Sequence, residues 1–228
     1  MQIAEKTWVN YINEMSKISD TAAGLMRAFI EKNGIQDRKK LIDYACALED
    51  RYGEAIAELS CQMYEATALA QGVTIPAAEP SPIPSYGEVA KAINGTIKQS
   101  EIMIPNTVGR LVKQVGADTT LKNAKRDRAQ FAWIPHGDTC AFCMTLASRG
   151  WQYISDKTLK NGHAEHIHSN CDCQYAVRFD TESGVEGYDP EKYFKMYRDA
   201  EGRTPNDKIN AMRRSIYASK KNEIKITQ

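Results

Sequence analysis

HGDTCAFC at residues 136–143 and GHAEHIHSNCDC at residues 162–173 hold four of the six cysteines and all four histidines of the chain. Read as ligands, they give a Cys140-x-x-Cys143 pair followed by His168-x-x-Cys171-x-Cys173. A CxxC pair suits a metal because two intervening residues let one tight turn aim both thiolates at a single ion. Two thiolates from each half complete a tetrahedron, and zinc is the ion that such a sulfur-rich set selects. The expected ligands are Cys140, Cys143, Cys171 and Cys173, with His168 the substitute for one of the last two. A redox pair or a disulfide is the competing reading. A deaminase-type centre fits poorly, because His163 and Glu165 supply its H-x-E only after the CxxC.

Working outward from this stretch, AQFAWIP at 129–135, Trp151–Ile154 and CQYAVRF at 173–179 read as strands. A short helix capped by Asp138 or Thr139 and ended by Gly150 carries the CxxC. Short strands between turns bury little surface, so a metal cross-link is what they call for. Asn206–Lys221 and a stretch around Pro190–Glu201 read as C-terminal helices, followed by a mobile or partner-bound end.

Ahead of the cysteines the chain is helical. Residues 4–18 form one helix, and Asp20 caps a second that stops at Asn33-Gly34. Residues 37–71 form the longest, with Leu41, Ala45, Leu48, Tyr52, Ala55, Leu59 and Met63 spaced as a heptad seam that needs a cover. VTIPAAEPSPIPSY, residues 73–86, carries four prolines and cannot continue a helix. It reads as a linker. Residues 87–99 and 104–126 are helical again, with a break near Gly116-Ala117-Asp118. The fold class is therefore α+β: an N-terminal helical bundle or hairpin (1–72), a Pro-rich linker (73–86), and a small α+β domain with a zinc knot and C-terminal helices (87–228).

Composition is that of an ordinary globular protein, with a formal net charge of +1. No apolar run reaches membrane-span length, so no membrane partner is expected. The start lacks the apolar core of a signal peptide, which makes a reducing cytoplasm the expected site of synthesis. Charge is unevenly placed: residues 1–80 carry eight basic and twelve acidic side chains, and the tail from Arg203 seven basic and two acidic. Lys122, Lys125, Arg126 and Arg128 form one basic cluster, and Arg213, Arg214, Lys220 and Lys221 a second. They are candidates for sequence-independent contact with double-stranded DNA, or else solvated helix faces. Neither interleaves aromatics, so single strands gain no advantage in this reading.

TCAFCMTLASRGW followed by HSNCDC resembles the C-terminal region of tailed-phage minor head proteins, the Mu F-like head-morphogenesis group. The matching positions are Cys140, Cys143, Arg149, Gly150, His168, Cys171 and Cys173. The resemblance implies a minor capsid protein inside the virion, associated with portal and major capsid proteins and assisting head morphogenesis, with no catalytic role of its own. The N-terminal helices would then dock or self-associate. The alternative is a metal-containing nuclease or toxin-like enzyme carried by the phage head, for which His136, His163, His166 and Asn170 are the relevant residues.

Overall fold

The computed structural model describes residues 1–137, 139–155 and 173–226, with side chains through Ser219. Gln2–Ile3 is a short strand, β1. Glu5–Asn33 is one 29-residue helix, α1, and Gly34 stops it at φ 68°. No second helix starts at Asp20. That carboxylate sits on the solvent face, while Met15, Ser19, Ala22 and Met26 keep one buried stripe running through the expected break.

Arg38–Leu48 (α2) begins where Asp37 accepts the Lys40 amide at 3.0 Å. It runs through a π-helical turn, Glu49–Gly53, into Glu54–Ala70 (α3). A π turn inserts one extra residue into the helical repeat. The heptad seam is therefore followed only as far as Leu41, Ala45 and Leu48. Beyond the turn the buried positions are Ile56, Ala57, Ser60, Cys61 and Tyr64, while Tyr52, Leu59 and Met63 are only half-buried and Ala55 is exposed.

Tyr86–Gln99 (α4) opens with a reciprocal capping box between Ser85 and Glu88. Ile104–Arg126 (α5) follows, unbroken at Gly116. It is buried on almost every side, as expected for a helix packed all round. Two glycines allow this. A Cβ on Gly109 would lie 3.1 Å from the Ser19 carbonyl of α1, and one on Gly116 would lie 2.5 Å from Met15 Cε and 2.8 Å from Ser60 Oγ. The 116–118 stretch marks a close crossing of three helices, not a helix end.

Residues 73–86 do not separate distinct cores. The segment is extended, and polar side chains of α3 and α5 hold it down. Asn123 brackets the Glu79 backbone, Thr119 Oγ1 accepts the Ser81 amide at 3.0 Å, and Glu65 accepts the Ala78 amide at 2.8 Å. One continuous apolar cluster joins Ile12, Met15 and Leu41, before the segment, to Val108, Val112, Ala132 and Ile134 after it. The division into 1–72 and 87–228 is thus a division of sequence, with the prolines serving as a strap. The seam on α2 and α3 packs against α1, α4 and α5 of its own chain.

The sheet is antiparallel with order β3-β2-β4: Gln130–Ile134 (β2), Gln152–Tyr153 (β3) and Gln174–Arg178 (β4). Strand alternation sends Ala132, Ile134 and Ala176 into the helical core, and Phe131, Trp133 and Tyr175 into a second cluster with Cys143 and Cys173. Ala141–Ala147 (α6) packs in that second cluster. Gly184–Val185 (β5) pairs in parallel with β1, a link across the chain that nothing in the sequence announced. Pro190–Asp199 (α7) and Pro205–Ile226 (α8) close the chain, and the expected mobile end is helical to Ile226. The class is α+β, predominantly helical with a small sheet.

Candidate metal centre and basic surfaces

β2 leaves the sheet where β4 enters it, because their register pairs Ile134 with Gln174. Cys173, the residue before β4, is therefore delivered to the β2–α6 turn that carries the CxxC. Cys140, in extended conformation, is itself the N-cap of α6, and its Sγ accepts the Cys143 amide at 3.5 Å. Of the expected caps, Thr139 does not serve, since it turns its hydroxyl to the His136 carbonyl at 3.2 Å and to Cys173 Sγ at 3.8 Å; Asp138 lies outside the described residues. Cys143 and Cys173 are buried beside Phe131, Trp133, Tyr175 and Ala147, with Cys140 half-buried against them. A thiol at a helix N-terminus has its ionised form favoured by the aligned peptide dipoles.

Three expected ligands thus share one cluster. Cys171 and His168 lie outside the described residues, as do His163, His166 and Asn170 of the nuclease alternative. Among the described residues no group of three or more histidines, cysteines or acidic residues forms a metal-binding set.

The far end of α6 is secured separately. Tyr188 donates to the Ala147 carbonyl at 2.6 Å, Gly150 takes φ 64° against Pro190, and Arg178 lies over the Trp151 ring at 4.8 Å. The Arg-Gly after the CxxC helix is therefore an architectural turn.

The first basic cluster divides by role. Lys122 bonds the Pro80 carbonyl and pairs with Glu79 at 3.0 Å, and Arg126 donates to the Pro76 and Ala77 carbonyls and to Asp127. Both hold the proline strap. Asp127, which also accepts from Tyr64 at 3.0 Å, is held below the usual carboxylate range, mainly by Arg126. Lys125 and Arg128 face outward from the end of α5. In the second cluster Arg213 and Arg214 are exposed on α8, while the side chains of Lys220 and Lys221 lie outside the described residues.

Sequence reasoning passed over Glu49. It sits in the π turn, fully buried, and its carboxyl oxygens have no hydrogen-bond partner among the described residues. Burial pushes its pKa up to about 9, Arg110 opposing the shift and Asp50 adding to it. Glu49 lies beside the seam positions, so the heptad spacing gave no reason to expect it buried. The π turn that puts it there was not legible either.

Among the described residues no helix is long and apolar enough to cross a membrane. Comparison with known families identifies a viral protein: the family model described as VG15 protein matches residues 2–200, from β1 through α7. The chain belongs to the VG15 protein family. No curated protein and no solved structure matches it.

Proposed function

We propose that this viral protein is a minor structural component of a phage head, placed inside the capsid against portal and major capsid proteins. A zinc ion tethers its two cysteine turns, and it performs no catalysis. What supports the reading is that Cys140, Cys143 and Cys173 lie in one apolar cluster at the β2–β4 exit, although these three do not by themselves form a metal-binding group. Thiols from two turns, once completed by a fourth ligand, would suit zinc in a structural role. Cys171 or His168 would complete it, in keeping with the Mu F-like pattern of the sequence. Bound there, the ion supplies a cross-link between the β2–α6 turn and the start of β4. Cys140 holds its sulfur at the helix N-terminus, and the burial of Cys143 and Cys173 keeps water from the sulfurs. Exposed Arg213 and Arg214 on α8 are the residues offered to packaged DNA.

Elemental analysis of protein purified without chelators tests the metal; about one zinc per chain is expected, lost in Cys143→Ser and Cys173→Ser. Zinc-free protein that melts unchanged would refute the site. For the assembly role, affinity capture from particles should recover portal and major capsid proteins. Absence of the chain from purified particles would refute it.

A further inference from the structure

α8 is a 22-residue helix, yet among its described side chains only that of Met212 is buried. It packs on α6 and α7. Helices in water are held mainly by packing, so a helix this lightly covered draws little stability from its own chain. Arg213, Arg214 and Tyr217 lie exposed on it, and Tyr217 is 72% exposed. Helical spacing sets Tyr217 between the two arginines, one turn on from Arg213. The second basic cluster thus does own an aromatic. Arg213 reaches Asn210 Oδ1 at 3.0 Å, a neutral partner that a carboxylate outcompetes.

The same chain carries a surface of opposite character. A groove of about 600 Å³ runs between α3 and the proline strap, bordered by Glu54 and Glu58 on one side and by Pro80, Pro82 and Ile83 on the other. Glu54 and Glu58 are exposed and one helical turn apart, and Glu58 accepts from Gln62 Nε2 at 2.9 Å. Lys122, the cation that reaches the Pro80 carbonyl, is paired with Glu79. Pro80 and Pro82 are exposed on an extended segment, the form of proline that aromatic side chains recognise.

We infer that this groove seats α8 of a second copy of the chain, with Tyr217 against Pro80 and Pro82 and with Arg213 and Arg214 against Glu54 and Glu58. Charge selects the occupant: two cations flanking a ring meet two carboxylates flanking proline. Two different patches are joined, so the contact either closes when the second copy returns its own α8 or passes on to a third copy. The inference goes beyond the reading of α8 as a DNA surface and stands without it. A neighbour's carboxylates and DNA compete for the same two arginines.

The test is sedimentation velocity of the full chain, free of nucleic acid, over a range of concentrations at about 50 and about 500 mM salt. The chain should associate, and less so at high salt. Tyr217→Ala should weaken association about tenfold. Reversing either face, by Arg213→Glu with Arg214→Glu or by Glu54→Lys with Glu58→Lys, should leave a monomer that melts as the parent does. Mixed in equal amounts, the two reversed chains should associate again, because every α8 then finds a groove of opposite charge. A parent chain that stays monomeric throughout would overturn the inference. So would association that both reversals leave intact, or association that both abolish and mixing does not restore.

Discussion

Asn123 grips the backbone of Glu79 from both sides: its Oδ1 accepts the Glu79 amide at 2.9 Å and its Nδ2 donates to the Glu79 carbonyl at 2.8 Å. Asn123 itself is fully buried, while Glu79 is exposed and the two bonds are partly buried. Asn123→Ala leaves both Glu79 groups without their partner and should cost about 2–3 kcal/mol. Hydrogen exchange at the Glu79 and Ser81 amides reports it. Protection unchanged from the parent would mean that the strap is held by its prolines alone.

Gly116 sets how closely α1, α3 and α5 approach. Gly116→Val puts branched carbon where Met15 and Ser60 already lie, at an expected cost of about 1–3 kcal/mol by urea unfolding. Met15→Ala in the same chain should recover some of the loss. A substitution without effect would show that the three helices move apart at no cost.

Leu48 is buried in the core that reaches Ile134 and Ala176. Leu48→Glu should therefore lower the stability of the whole chain by roughly 3–5 kcal/mol. Cysteine accessibility at Cys143 should rise in the same transition as helix loss. Two separate transitions would restore the picture of independent N- and C-terminal units.

Glu49 gives stability a pH slope. Its folded pKa, about 9, lies above the unfolded carboxylate value near 4.3, so the folded state binds the extra proton. This contribution is whole below the unfolded value and is lost as pH rises toward 9. Between pH 4.5 and 7 the loss should be on the order of 3 kcal/mol. Glu49→Gln, compared by denaturant unfolding across that range, should flatten the slope. An equal slope in both proteins would place its origin elsewhere.

What the sequence made legible follows from how local each signal is. The stop at Gly34 and the strand character of AQFAWIP depend on near neighbours, and both were readable, whereas the equally local capping box at Ser85 went unread. The single helix through Asp20 was not readable, because a good cap residue also sits comfortably on a solvent face. The π turn hid because the heptad spacing continues past Gly53 in sequence while the buried stripe steps aside. Four prolines announced an extended segment, but only Thr119 and Asn123, ordinary helix positions in isolation, decide that it lies flat. That Cys140, Cys143 and Cys173 come near one another was readable from spacing. The role of Lys122 and Arg126 as anchors was not, since their acceptors are backbone carbonyls that leave no mark in composition.

The pairing of Gln2 and Ile3 with Gly184 and Val185 sets an order of events. As the chain is synthesised, β1 is made some 180 residues before its partner, so it remains an unclaimed edge over that interval. Contacts this distant in sequence slow folding and prolong exposure of partly built surfaces. Completion at Val185 also divides the chain in time: strap, bundle and sheet can close before α7 and α8 emerge. α8, which bears Arg213 and Arg214, is then added to a body already formed, where its exposed surface can change without reopening what came before.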